Sequence, residues 1–292
     1  MKFFLSFISL TKVFVLSKFI TDRTLARYKH KNDCIVIGNG PSLNESLEKY
    51  EQILKNHDVI CVNSFASSNY FTLIKPKYYI LGAEILFLEE KLLSPFYINH
   101  RNQIFDQIEH NTTWKMFLFV PYSAKKSIFF NDFIIKNKFI TPVFFNNVGV
   151  EGFTLINRFF FNLKLGIPRP HNILIPALMN VIHLGYKRIY IIGADHSWLS
   201  EISVDINNNA LVNQKHFYDE NQTKPEKMED YIKRPRKLHE IIHKFYLSFK
   251  GYWDIKNYAD YKKVNIYNAS EVSMIDAFER RKLSKINEIN ER

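Results

Sequence analysis

The chain has 292 residues, 46% of them hydrophobic and 15% aromatic, and a formal net charge of +11. That length buries a full core and fits one large domain, or one domain with a lid, at roughly 100–200 residues per domain. Apart from the charged last dozen residues, no stretch is polar enough to read as long disorder, which excludes a largely unstructured or fibrous chain. The positive charge attracts anions: nucleic acid, anionic lipid or phosphorylated substrate. The basic residues are scattered, and no DNA- or RNA-binding signature is present, so no nucleic-acid partner is expected. The two cysteines, Cys34 and Cys61, sit in apolar runs without a CxxC partner or metal-ligand spacing. They read as reduced core residues of a cytoplasmic protein.

In chain order, residues 1–30 form a segment of their own. Phe3 to Ile20 is apolar but interrupted by Lys12 and Lys18, and no small-residue cleavage site precedes the charged DRTLARYKHK. A central lysine makes spanning a membrane costly. Two readings remain: an amphipathic helix lying on an anionic membrane surface, peripheral at the inner face, or a terminal helix packed on the protein's own core. Residues 31–292 read as one nucleotide-binding α/β domain. CIVIG (Cys34 to Gly38), DVICVN (Asp58 to Asn63) and KYYIL (Lys77 to Leu81) are strands, with a helix from Glu45 to Lys55 between the first two. A helix from about Ile173 to Leu184 stops at Gly185, and RIYIIG (Arg188 to Gly193) follows as a buried strand. VNIYNA (Val264 to Ala269) is a last strand that closes the sheet, with a helix after it. This alternation predicts a Rossmann-like, mostly parallel sheet with helices on both faces. The stretch 84–168 lacks clean periodicity and reads as further strands or a cap over the site. Residues 205–261 are a candidate lid.

Chemistry concentrates at Gly38, Asn39, Gly40, Pro41 and Ser42. A glycine past a buried strand permits a sharp turn, a second lets backbone approach a ligand, proline suits a helix start, and serine caps free N–H groups. Strand, turn and helix start together make an anion site. Leu43 stands where a dinucleotide fingerprint needs its third glycine, and no Gly-Lys-Ser/Thr follows, so neither an NAD motif nor a P-loop is present. Asn63 ends the second strand, where a neutral amide can both donate and accept. Gly193 and Asp195 lie past the RIYII strand on the same sheet edge, and Ser270 follows the last strand more weakly. HEIIH (His239 to His243) matches a zinc-hydrolase pattern, yet no third ligand stands at a recognised spacing, so no metal is expected there.

GNGPSL, CVNSF and LGYKRIYIIGAD resemble the bacterial sialyltransferases of the Campylobacter type and related surface-polysaccharide proteins, over Asp33 to Phe65 and Ala177 to Phe278. The resemblance implies a GT-A-like variant fold and a CMP-activated acidic sugar donor (sialic acid, a related nonulosonate or Kdo) bound without a metal cofactor. It implies transfer with inversion to a glycan or glycolipid acceptor such as lipopolysaccharide or capsule, and permits a homo-oligomer. It assigns Asn39 and Asn63 to the nucleotide and His216 as the base on the acceptor hydroxyl, with Tyr218 standing in for the family's tyrosine pair on the leaving phosphate. Residues Asn172-Ile173 replace that family's threonine-serine pair, and His196-Ser197-Trp198 follow Asp195. Independently, no Asp-x-Asp occurs in the chain, which fits metal-free transfer. Two other readings stay open: a pyrophosphokinase like the archaeal pterin enzymes with a GxGPSL turn, and a non-catalytic binding protein of polysaccharide assembly.

Overall fold

The computed structural model describes residues 1–19, 24–25, 32–213, 217, 224–229 and 234–291. The chain begins with helix α1 (Lys2–Leu16). Strand β1 (Asp33–Ile37) then leads through α2 (Leu43–Lys49) and α3 (Glu51–Asn56) to β2 (Asp58–Val62). Helix α4 (Tyr70–Ile74) connects to β3 (Tyr78–Ile80), α5 (Pro95–Asn111) to β4 (Met116–Pro121), and α6 (Ile128–Lys136) to β5 (Ile140–Phe145). Helices α7 (Thr154–Asn162) and α8 (Leu174–Leu184) carry the chain back to β6 (Arg188–Ile192). A small antiparallel sheet of β7 (Ile202–Val204), β8 (Ala210–Val212) and β9 (Glu226–Lys227) follows. Helix α9 (Leu238–Tyr261), β10 (Asn265–Asn268) and β11 (Glu279–Arg280) complete the main sheet.

That main sheet has eight strands in the order β11-β10-β6-β1-β2-β3-β4-β5, every pair parallel. Its central strands are buried on both faces, which explains their unbroken apolar runs. Alternate residues divide between two cores. Cys34, Val36, Ile60 and Val62 pack with α8 and the C-terminal half of α9. Ile35, Ile37, Val59 and Cys61 pack with α2 to α6. The expected layered α/β fold is thus present, and both cysteines are free and buried.

Four details differ from the sequence expectation. The helix expected over Glu45 to Lys55 is two helices, because Tyr50 leaves helical geometry and caps both. VNIYNA does not close the sheet, since β11 pairs beyond it, and the chain after it runs through bends and a 3-10 helix at Leu283–Glu291 instead of an α-helix. The stretch 84–168, in keeping with its reading as further strands or a cap, supplies β4 and β5 and part of the site wall. Within the candidate lid 205–261, α9 is a helix of the main core, because Tyr252, Ile255, Tyr258 and Ala259 are buried in it.

Ion pairs fix the opposite, N-terminal ends of the strands. Arg188 donates Nη2 to Asp33 Oδ2 at 2.7 Å, and its Nε also bonds that carboxylate. Asp58 receives Lys77 Nζ at 2.8 Å and the Tyr186 hydroxyl at 2.5 Å. The charged clamps stand away from the strand ends where loops converge.

Candidate active site

Strands β2 to β5 run outward from one side of β1, and β6, β10 and β11 from the other, so the order reverses between β1 and β6. In open parallel sheets, ligands bind in the crevice beyond the carboxyl ends at such a reversal. The two loops leaving these strands are Gly38 to Ser42 and Gly193 to His196, and they interlock. Gly38 N donates to Ile192 O at 2.9 Å and Gly40 N to Gly193 O at 2.7 Å. A Cβ on Gly40 would stand 2.4 Å from Asp195 Oδ1 and 2.8 Å from Gly193 O; Gly193 itself has φ +63°. The glycines here let two loops touch.

This packing changes what Ser42 and Asp195 do. Ser42 N donates to Asp195 Oδ2 at 2.8 Å, and Ser42 Oγ to Oδ1 at 2.7 Å. The carboxylate therefore occupies the position at the start of α2 that the sequence reading gave to a ligand phosphate, and Ser42 does not cap its own helix. Burial raises the Asp195 pKa, and the Ser42 bonds oppose that rise. Ser270 is also structural: its Oγ accepts Ala194 N at 3.0 Å, bracing the same loop from the β10 side. Ser42, Asp195 and Ser270 are not among the residues that line the adjoining cavity.

The cavity has a volume of about 410 Å³, within the ~300–1,000 Å³ of ligand pockets. Gly38, Asn39, Gly40, Pro41, Asn63 and Gly193, all singled out in the sequence, line it. Asn63 adopts φ +50°, and its backbone oxygen accepts the Tyr79 hydroxyl at 2.5 Å. Its side chain has no hydrogen-bond partner among the described residues. The sequence reading missed Tyr97 and His100, which α5 brings to the wall. They belong to the stretch without periodicity, so no local signal marked them.

Two wall amides carry the polar information. Asn39 Nδ2 donates to Val62 O at 3.2 Å, which turns Oδ1 away as a buried acceptor without a partner. Asn172 Oδ1 accepts from Leu174 N and from the Tyr252 hydroxyl, both at 3.0 Å. That leaves Asn172 Nδ2 as a buried donor without a partner. Because Tyr252 gives its proton to Asn172, its oxygen accepts from His196 Nε2 at 2.5 Å. His196 is thereby held as the Nε2–H tautomer, leaving Nδ1 as acceptor. Burial lowers its pKa to about 3, so at neutral pH it is uncharged and a poor proton acceptor. Its ring stacks on Trp198 at 4.1 Å.

His216 and Tyr218 lie outside the described residues. Phe217, between them in sequence, is described: its N–H donates to Asn39 O at 3.1 Å, and its carbonyl accepts Asn44 Nδ2 at 2.8 Å. Its ring lies 5.7 Å from Phe65 and is buried. The HEIIH histidines are both exposed, and Glu240 is engaged by Arg234 Nη2 at 2.8 Å and by Lys237 N at 2.7 Å. That carboxylate caps α9. No group of three candidate metal ligands occurs among the described residues.

No family of known proteins matches this sequence, and no curated protein matches it. Among solved structures, the MAf glycosyltransferase from Magnetospirillum magneticum AMB-1 aligns with a TM-score of 0.49 at 10% identity, covering 95% of this chain and 38% of that one. The chain thus spans well under half the length of that protein.

Proposed function

We propose that this protein is a metal-independent, inverting glycosyltransferase that moves an acidic sugar, such as sialic acid, a related nonulosonate or Kdo, from a CMP-activated donor to a surface glycan or glycolipid. The observation that carries the reading is the attachment of Phe217 to Asn39. It brings the residue between His216 and Tyr218 in sequence to the turn that carries Asn39, a residue of the cavity wall whose buried Oδ1 has no partner among the described residues. The donor's nucleotide occupies the cavity, with Asn39 and Asn63 as its polar contacts. His216 takes the proton of the acceptor hydroxyl, an imidazole task near neutral pH. Tyr218 donates to the leaving phosphate and offsets the charge that develops there. His196 does not replace His216 as base, since an imidazole whose pKa burial lowers to about 3 is too weakly basic to take a hydroxyl proton near neutral pH. In this arrangement Asp195 shapes the turn and leaves the phosphate to groups on the open side.

Calorimetric titration with CMP, UDP and GDP tests the donor class. CMP is expected to bind at least tenfold more tightly than either diphosphate; tighter UDP binding, or no nucleotide binding, would refute the donor assignment. His216→Ala should abolish transfer and leave CMP affinity within about twofold. Surviving turnover would place the base elsewhere, and ATP-dependent AMP release would favour the pyrophosphokinase reading.

A further inference from the structure

Helix α1 turns its polar side inward. Ser6, Ser9 and Val13 are its buried residues. Ser9 Oγ donates to Glu151 O at 2.8 Å and accepts Glu151 N at 2.9 Å, and Phe153 N donates to Ser6 Oγ at 2.9 Å. Gly152 permits this contact, because a Cβ there would stand 2.1 Å from Ser6 Oγ. Just past the helix, Ser17 Oγ donates to Leu165 O at 2.5 Å, and Asn146 bridges Lys18 and Lys164. The helix is therefore anchored at both ends, along the segment that contains α7.

The outward side is apolar. Phe3, Phe4, Phe7, Leu10, Phe14, Val15, Leu16 and Phe19 are each between 53% and 77% exposed. Phe3, Phe7, Leu10 and Phe14 recur at spacings of four, three and four, which places them in one stripe. Beside it, α7 and its flanks expose Phe153, Leu155, Phe159 and Leu163. Monomeric soluble proteins rarely leave such patches in water without a partner. The flanking charge is of one sign: residues 1–19 contain Lys2, Lys12 and Lys18, residues 153–165 contain Arg158 and Lys164, and neither range holds an acid.

We infer that the outer face of α1, extended by α7, is a docking surface for an anionic lipid bilayer, on which α1 lies flat with its phenylalanines in the interface. An apolar face on two segments whose charged residues are all cationic suits anionic headgroups. A second copy is the less suitable occupant, because it would set the same cations against each other on two chains of charge +11. Spanning is not the mode: no described helix is long and apolar enough to cross a membrane, and α1's serine seam is committed to protein. The inference concerns a surface away from the cavity and stands apart from the proposed transfer reaction.

Flotation of the full chain with phosphatidylcholine vesicles, with and without one-third phosphatidylglycerol, tests it in the absence of nucleotide. The expected result is binding to the anionic vesicles at least tenfold tighter than to the neutral ones. The double variant Phe7→Ser/Phe14→Ser should lose at least tenfold of that binding while keeping the parent's thermal unfolding midpoint, since both rings are exposed in the fold. Lys2→Gln/Lys12→Gln/Lys18→Gln should weaken binding to anionic vesicles by roughly fivefold per charge. Absence of binding to anionic vesicles, or equal binding by the serine variant, would overturn the inference. So would a parent dimer, seen by light scattering, that the serine variant converts to monomer.

Discussion

At the scale of single residues, two buried polar atoms separate a site from a surface dent. Leaving a buried donor or acceptor unpaired costs about 1–3 kcal/mol, and folded proteins seldom tolerate it without a reason. Asn39 Oδ1 and Asn172 Nδ2 are such atoms among the described residues, and both residues belong to the lining of one cavity. Neither amide can flip to relieve itself, because the other end of each is already bonded. The Tyr252 hydroxyl fixes one of them while touching no cavity surface. Tyr252→Phe should therefore lower stability by about 1–3 kcal/mol in urea unfolding, as His196 Nε2–H loses its acceptor. It should also weaken CMP binding about threefold to tenfold by freeing Asn172. A variant that matches the parent in both measurements would show that the hydroxyl does not hold this pair.

At the scale of elements, the site depends on two loops touching between β1 and β6. Gly40→Ala puts a methyl group within 2.4 Å of Asp195 Oδ1 and 2.8 Å of a backbone oxygen, so the loops must separate. Overpacking of this kind costs about 1–3 kcal/mol; the turn that carries Asn39 moves with it, and CMP affinity should fall at least tenfold. Unchanged affinity by calorimetry would mean that the interlock does not shape the site. The sequence made the strands of this arrangement plain, because β1, β2 and β6 are apolar, largely β-branched runs that end at glycine or asparagine. It also marked the loops after them. It could not say that Asp195 would fill the start of α2, since a carboxylate 153 residues away in sequence reaches Ser42 only once the sheet is assembled. Tyr97 and His100 were hidden because α5 brings them to the wall from a stretch without clean periodicity, while Asn172 was visible only as a departure from the pattern that the resemblance carried.

At the scale of the whole molecule, the buried imidazole of His196 links stability to pH. Its ordinary pKa of 6.5 falls to about 3 in the fold because burial disfavours the cation. A lowered pKa means that the unfolded chain binds the proton first as pH falls. The contribution to stability is therefore complete above pH 6.5 and is lost progressively between 6.5 and about 3, at up to ~1.4 kcal/mol per pH unit. Asp195 acts in the opposite sense: its raised pKa makes the folded state bind a proton more readily, but only as pH approaches the carboxylate range. The interval from pH 6.5 to 5 separates the histidines from the carboxylate, but His196 shares it with His171 and His183, which burial lowers to about 4 and about 3. Urea midpoints should fall across it, and His196→Phe should lessen that slope by about one proton's share whatever its effect on absolute stability, because a phenyl ring takes up no proton. A parent slope of zero, or an equal slope in the variant, would mean that His196 is not held neutral in the folded protein. The slope that remains in His196→Phe belongs to His171, whose pKa burial and the neighbouring Arg169 lower to about 4, and to His183, which burial lowers to about 3.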